Sequence, residues 1–337
     1  VDKVTITLDG REVTGTSGMT ILDIAREAGV DIPTLCHHPL LPPAGACRLC
    51  LVENERTGAL LASCVTPIEA GMLVNTSSPR VLERRREIVE LMLASHPDTC
   101  MVCDKGNRCE LRRVASALGV GIIGFERLPQ YGAVVDLNPF IVRDMGKCIL
   151  CGRCVRADHD LVVEGAIDFL GRGFTTRPAT VGDTGLEGSE CTFCGTCVAM
   201  CPTGALVERH ALAAGTTSRR VITTCPFCGC GCSVALEMKG DVIVRGRPGG
   251  ESPVNQGTLC VRGAYGYDFV YSPERLMTPL VRGPAGLEPA SWEEALAVAA
   301  AELGRLKAEA GPRSLAVLGS PAGTNEENYL LQRFARC

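Results

Sequence analysis

Cys191-Thr-Phe-Cys194-Gly-Thr-Cys197-Val-Ala-Met-Cys201-Pro202 places four thiols at intervals of two, two and three residues, just before a proline. Where the backbone turns, thiolates spaced this closely converge on one point, and soft sulfur ligands select iron–sulfur clusters, zinc or copper. Upstream, Cys148-Ile-Leu-Cys151-Gly-Arg-Cys154 repeats the first three ligands, but Asp158 stands where the fourth is due. Further out, the same residue types recur as Cys36/Cys47/Cys50/Cys64, His96/Cys100/Cys103/Cys109 and Cys225/Cys228/Cys232/Cys260. Of 20 cysteines in 337 residues, Cys230 and Cys337 alone fall outside these groups. The pattern predicts an electron conductor.

Composition removes the main competitors. A disulfide scaffold is normally a short secreted chain with a weak core. This chain is long, 46% hydrophobic, and begins with a polar, alternating stretch in place of a signal peptide. No run approaches the ~18 apolar residues that span a bilayer, so no membrane span is expected. A net charge of −4 gives no nucleic-acid footprint. No glycine-rich dinucleotide fingerprint follows a strand, so no NAD or flavin site is expected in this chain. The expectation is a cytoplasmic, reduced, metal-loaded α+β protein. Its modules can be small because bound metal supplies folding energy.

Five modules are expected. In residues 1–79, Val4-Thr-Ile-Thr-Leu8 alternates, Asp9-Gly10 turns, and Glu12-Val-Thr-Gly-Thr16 returns. Thr20 with Asp23 then caps a helix that Gly29 ends. Strands over 49–53, 60–65 and 72–76 complete the order of a β-grasp ferredoxin. In residues 80–120, Ser78-Pro79 opens a helix over 80–94. On it Arg86 pairs with Glu83 and Glu90, Ile88, Leu91 and Met92 form the apolar side, and the arginines at 84–86 face solvent. A cysteine-bearing loop and helix follow over 100–118, then a linker over 129–139. Residues 139–210 carry the two cysteine runs, and 220–275 the last cysteine group with strands at 234–239 and 241–245. Residues 276–337 open an α/β domain: Ser291 and Glu294 box a helix running to Gly311, a strand covers 314–319, and Thr324 with Glu327 caps another helix.

The spacings differ in what they imply. Cys36-x10-Cys47-x2-Cys50-x13-Cys64 is related to plant-type [2Fe–2S] spacing, with zinc as the alternative. Gly45 lets the backbone approach sulfur, and His37 and His38 take supporting or surface roles. His96 supplies the fourth ligand to Cys100, Cys103 and Cys109 on the ligand count, and a neutral imidazole raises a cluster's potential. In bacterial ferredoxin runs the fourth cysteine of each run serves the other cluster. Cys148, Cys151, Cys154 and Cys201 therefore hold one [4Fe–4S] cluster. Cys191, Cys194 and Cys197 hold another, completed by Asp158 or left as [3Fe–4S], with water or hydroxide as the alternative ligand. Carboxylate oxygen is harder than sulfur and holds iron less tightly. In the last group, spacing alone leaves Cys228 and Cys230 interchangeable.

Cys225-Pro-Phe-Cys-Gly-Cys-Gly-Cys232 and Pro253-Val-Asn-Gln-Gly-Thr-Leu-Cys-Val-Arg-Gly-Ala-Tyr-Gly-Tyr-Asp-Phe269 resemble the N-terminal [4Fe–4S] module of molybdopterin oxidoreductases. Ser272-Pro-Glu-Arg-Leu-Met-Thr-Pro-Leu280, Trp292-Glu-Glu-Ala-Leu296 and Thr324-Asn-Glu-Glu-Asn-Tyr-Leu-Leu-Gln-Arg-Phe-Ala-Arg336 fit the same family. Within it, the chain most resembles the formate dehydrogenase large (alpha) subunit. The earlier modules equally resemble the large iron–sulfur subunit of NADH dehydrogenase and the electron-bifurcating hydrogenases. The resemblance leaves Cys230 as the spare and implies one [2Fe–2S] and four [4Fe–4S] clusters. It also implies a molybdenum or tungsten bis(pterin guanine dinucleotide) centre oxidising formate, and flavin- and NAD-binding partner subunits. Arg262 falls between cluster and pterin, where formate dehydrogenases usually carry lysine. Cys337 comes too early to be the family's metal ligand, so no catalytic residue is assigned, and a separate catalytic chain or a truncated reading frame is expected. The rival expectation is a non-catalytic relay subunit of an NADH dehydrogenase or hydrogenase complex.

Overall fold

A computed structural model describes residues 2–121, 123–126, 136–212, 214–250 and 252–336. Most of the 129–139 linker and Cys337 lie outside the described residues. Strands β1 (Lys3–Leu8) and β2 (Arg11–Thr16) form the expected hairpin, turning on Asp9 and Gly10 at positive φ. Helix α1 (Ile21–Glu27) starts at a reciprocal box in which Thr20 and Asp23 satisfy each other's backbone N–H. Strands β3 (Leu51–Asn54), β4 (Ala59–Ala62) and β5 (Leu73–Asn75) complete a sheet of order β2-β1-β5-β3-β4, with β1 and β5 parallel. Ile21, Leu22, Ile24 and Ala25 of α1 pack on Ile6, Leu8, Val52 and Val74 of that sheet. Each such valine, leucine or isoleucine side chain, fully buried, contributes roughly 1.5–3 kcal/mol.

Helix α2 (Pro79–Ala94) begins where Ser78 Oγ accepts from Val81 N at 3.2 Å. Its faces differ from the sequence expectation. Arg85 is 4% exposed and donates to the Leu51 carbonyl at 2.6 Å, whereas Leu91 is 52% exposed. The arginine lies one helical turn from Val81 and Val89, and its stem completes their buried stripe. Arg84 pairs with Glu83 and Glu87, and Arg86 donates to the Leu118 carbonyl at 3.0 Å. Two 3-10 turns, Cys100–Val102 and Gly106–Arg108, lead into α3 (Glu110–Ala117).

The next unit is mostly loop. Strand β6 (Ile141–Arg143) precedes α4 (Arg153–Arg156), which continues as a π-helical turn over Ala157–Val162. A small hairpin, β7 (Asp168–Leu170) and β8 (Arg177–Ala179), then leads to α5 (Thr196–Met200) and to β9 (Leu206–Glu208), which pairs with β6. Strands β10 (Arg219–Thr224), β11 (Ser233–Lys239) and β12 (Val242–Pro248) form an antiparallel sheet against α6 (Val261–Tyr265).

Beyond it lie hairpin β13 (Leu280–Gly283) and β14 (Gly286–Pro289), then α7 (Trp292–Ala310) and α8 (Asn325–Arg336), both with the expected caps. Residues 314–319 are not the expected strand. Among the described residues no strand pairs with them, and an extended segment without ladder bonds is not a strand.

Candidate iron–sulfur centres

Every described cysteine is a free thiol. In the ferredoxin module, Cys36 lies within thiol hydrogen-bond reach of Cys47 and Cys64, and Cys50 of Cys64. All four are buried. Contacts with Cys47 and Cys64 drive the Cys36 thiol down to about 2, and the contact with Cys64 takes Cys50 to about 6, while Cys47 and Cys64 are pushed up. Four buried thiols gathered this closely supply the donor set of a thiolate-bound metal centre. His37 is buried, and Arg26 Nη1 lies 2.7 Å from its Nε2. Arginine only donates, so His37 carries its proton on Nδ1.

Backbone geometry marks the two ferredoxin runs as copies of one another. Leu150 (φ 53°) and Gly152 (φ 68°) lie between the first cysteines as Phe193 (φ 53°) and Gly195 (φ 74°) lie between the second. Leu150 N donates to Cys148 Sγ and Phe193 N to Cys191 Sγ, each at 3.4 Å. Left-handed residues alternating with right-handed ones aim successive N–H groups inward, forming an anion-binding nest. Holding a leucine and a phenylalanine in that region costs energy, which points to function.

Cysteines of the two runs line two small cavities. Cys148, Cys151, Cys154 and Cys201 line one. Cys191, Cys194 and Cys197 line another together with Asp158. Asp158 sits on the π turn after α4, buried, and its Oδ2 accepts from Ile167 N at 2.9 Å. Burial pushes Cys148 up to about 11, Cys151 to about 12, and Cys154 and Cys197 well above the ordinary thiol value. Burial disfavours the bare thiolates, and a bound cation would offset that cost.

Cys100, Cys103 and Cys109 lie within electrostatic reach of one another. His96 is buried, Nδ1 lies 3.1 Å from the Pro97 carbonyl, and burial lowers its pKa, which favours the neutral imidazole that a metal ligand requires. In the last group Cys225 is buried and Cys260 exposed, and Cys225 N donates to Cys232 O at 2.8 Å. Cys230 contacts Cys228, and Arg262, exposed on α6, faces both thiols electrostatically. Thus Cys230 lies with the group, not apart from it. Among the described residues no three His, Cys, Asp or Glu side chains are spaced to hold a single metal ion.

The groups are not beads on a string. Cys36, Cys47 and Cys151 lie in one buried core, with Cys109 packed against it. A second core holds Cys154, Cys197, Cys201 and Cys225, with Cys148, Cys191 and Cys232 packed on it. Side chains that cysteine spacing does not single out tie the junctions. Arg156 donates to the Cys36 carbonyl at 2.5 Å and the Pro42 carbonyl at 2.6 Å. Arg153 donates to the His37 carbonyl at 2.8 Å and pairs with Glu110. Lys105, buried, donates to the Cys201 carbonyl at 2.5 Å. For Arg153 and Lys105 the available signal was a cation lying between two cysteines of one group, and for Arg156 a cation two residues after Cys154. When bound, iron–sulfur clusters accept and release single electrons. The chain supplies thiols, inward N–H groups, cationic ties and water exclusion.

Known domain families match in series. The 2Fe-2S iron-sulfur cluster binding domain covers residues 1–79, and the NADH-ubiquinone oxidoreductase-G iron-sulfur binding region 85–123. A 4Fe-4S dicluster domain covers 147–205, the molybdopterin oxidoreductase Fe4S4 domain 218–272, and molybdopterin oxidoreductase 275–337. The chain is built from NADH–quinone oxidoreductase G-like and molybdopterin oxidoreductase iron–sulfur domains.

NADPH-Fe(3+) oxidoreductase subunit alpha of Geobacter sulfurreducens is 38% identical over 99% of this chain and 39% of its own length. YrhE of Bacillus subtilis, provisionally named a formate dehydrogenase, is 34% identical over 100% of this chain and 39% of its own length. The chain thus spans about two fifths of these relatives. A chain of NAD+-reducing [NiFe]-hydrogenase, solved in the H2-reduced state, superposes with a TM-score of 0.58. It is 33% identical, and the match covers 64% of this chain and 90% of that one.

Proposed function

We propose that this chain is the iron–sulfur relay of a larger NAD(P)-linked oxidoreductase, carrying electrons between a flavin- and NAD(P)-binding partner and a molybdopterin-type domain. The observation that carries this reading is the pair of shared cores. Thiols of the first and third groups lie in one, with the second packed against it, and thiols of the third, fourth and fifth lie in the other. Neighbouring one-electron carriers held this way need no diffusing intermediate. The proposed ligand sets are Cys36/Cys47/Cys50/Cys64 for [2Fe–2S], then His96/Cys100/Cys103/Cys109, Cys148/Cys151/Cys154/Cys201, Cys191/Cys194/Cys197 with Asp158, and, with Cys228 chosen over Cys230 on the family resemblance, Cys225/Cys228/Cys232/Cys260 for four cubane-type clusters. Arg262 bridges the last cluster to the pterin by charge.

Anaerobic reconstitution followed by iron and acid-labile sulfide analysis tests the relay directly. One binuclear and four cubane-type sites require about 18 iron atoms per chain, or about 17 if the Asp158 corner stays open. Zinc in place of iron would overturn it.

A second reading, formate oxidation by the whole protein, is supported by the likeness to YrhE and by the molybdopterin oxidoreductase match over 275–337. Formate reduction of the clusters in the full-length protein, without NAD(P)H, supports that reading. Reduction by NAD(P)H and a flavoprotein partner but never by formate excludes it.

A further inference from the structure

Tyr265 joins two of the candidate centres, and a role for it in electron transfer rests on the relay proposed above. It lies on α6, which begins directly after Cys260, so its backbone belongs to the fifth group. Its ring is buried in the core with Cys197 and Cys225. There it packs 5.0 Å from Phe140 and 5.7 Å from His210, centroid to centroid. The hydroxyl end reaches the fourth group's loop: a Cβ built on Gly195 would fall 2.8 Å from the Tyr265 oxygen. Gly195 directly follows Cys194, and Cys194, Gly195 and Tyr265 line one small cavity. The hydroxyl is fully buried and, among the described residues, has no hydrogen-bond partner.

Phenylalanine would fill the same space without stranding a polar group, so the oxygen calls for an acceptor. Glu208 lines the cavity too and pairs with Arg245 and Arg247, but its Oε1 is buried without a hydrogen-bond partner among the described residues. It is the rival acceptor that the cluster-coupled proton in the test below separates from sulfur. On the Gly195 side the acceptor at hand is sulfur.

We propose that the Tyr265 hydroxyl donates a hydrogen bond to sulfur at the Cys194 corner of the cluster held by Cys191, Cys194 and Cys197, making Tyr265 a positioning residue that sets this cluster's potential relative to the fifth. Reduction adds one electron to a cluster whose sulfurs already carry negative charge. A donor aimed at sulfur stabilises that added charge and raises the potential.

The test uses the full chain, reconstituted anaerobically with iron and sulfide, and its Tyr265→Phe variant, which keeps the ring packing. EPR-monitored redox titration follows the cluster whose spectrum changes in Asp158→Cys. The reduction equilibrium constant of that cluster is expected to fall about three- to tenfold in Tyr265→Phe, tenfold being 59 mV for one electron. The other clusters are expected to stay in place. In the unsubstituted protein, an exchangeable proton coupled to that cluster appears by ENDOR and is lost in the variant. Unchanged potential at full iron content, a shift confined to the fifth cluster, or no exchangeable coupled proton would overturn the proposal. Failure to bind iron at all would overturn the relay reading instead.

Discussion

Arg153 and Glu110 form a two-point ion pair across the junction of the second and third modules, Nη1 to Oε1 at 2.8 Å and Nη2 to Oε2 at 3.0 Å. Arg153 is 4% exposed, sits between Cys151 and Cys154, and also donates to the His37 carbonyl of the ferredoxin module. One guanidinium therefore touches three modules.

Arg153→Ala removes all of these contacts. Breaking a buried pair costs about 3–5 kcal/mol, and the 32% exposure of Glu110 lowers the expected loss to about 2–3 kcal/mol. Thermal unfolding of the cluster-loaded protein checks it. Arg153→Lys, which keeps charge without the planar fork, should fall between the two. An unchanged midpoint in Arg153→Ala would refute the tie.

Asp158→Cys supplies a fourth thiolate to the cavity that already holds Cys191, Cys194 and Cys197. Iron content should rise toward four at this site, and a [3Fe–4S] EPR signal produced by mild oxidation of the parent should disappear. Asp158→Ala also strips the acceptor from Ile167 N and should leave the oxidised three-iron form dominant. Identical EPR spectra for all three proteins would rule out ligation by Asp158.

Arg85→Met keeps the apolar stem on α2 but deletes the bond to the Leu51 carbonyl. A hydrogen bond from a charged group is worth about 1.5–3 kcal/mol, and stability should fall by that order. Urea unfolding read by ferredoxin-module absorbance measures it. No change would return Arg85 to a passive role.

Glu208 gives a pH prediction. Burial pushes its carboxyl up, but Arg247, a backbone hydrogen bond, Arg245 and Lys105 outweigh burial and hold it below the usual carboxylate range. In the window between that lowered value and the unfolded value of about 4.3, the unfolded state binds more protons. The stabilisation is therefore present above about pH 4.3 and lost as pH falls through the folded value. Glu208→Gln should be less stable at about pH 6 and lose less between about pH 6 and about pH 4. Acid loss of clusters is shared by both proteins and cancels in the comparison of urea midpoints. Parallel pH curves would contradict the assignment.

Cysteine spacing is a local code, so the thiol groupings could be read from intervals of two and three residues. The structure places Cys148, Cys151, Cys154 and Cys201 around one cavity and Cys191, Cys194, Cys197 and Asp158 around another. The capped helices were legible for the same reason: Thr20 with Asp23 and Ser291 with Glu294 act within one turn. What sequence hid was long-range. Arg85 read as one of three solvated arginines, and only the position of β3 shows that it is buried. Arg153, Arg156 and Lys105 carry no local signal of their roles, because their partners lie far along the chain. The segment at 314–319 had a strand's composition, but strands exist only by pairing.

The sharing of buried cores by thiols from separate groups sets an order on maturation. Once Cys36, Cys47 and Cys151 are enclosed together, metal delivered late must reopen more than one module. Iron and sulfide therefore enter at least cost while the modules are still apart, and reconstitution of a closed chain has to loosen these shared cores first.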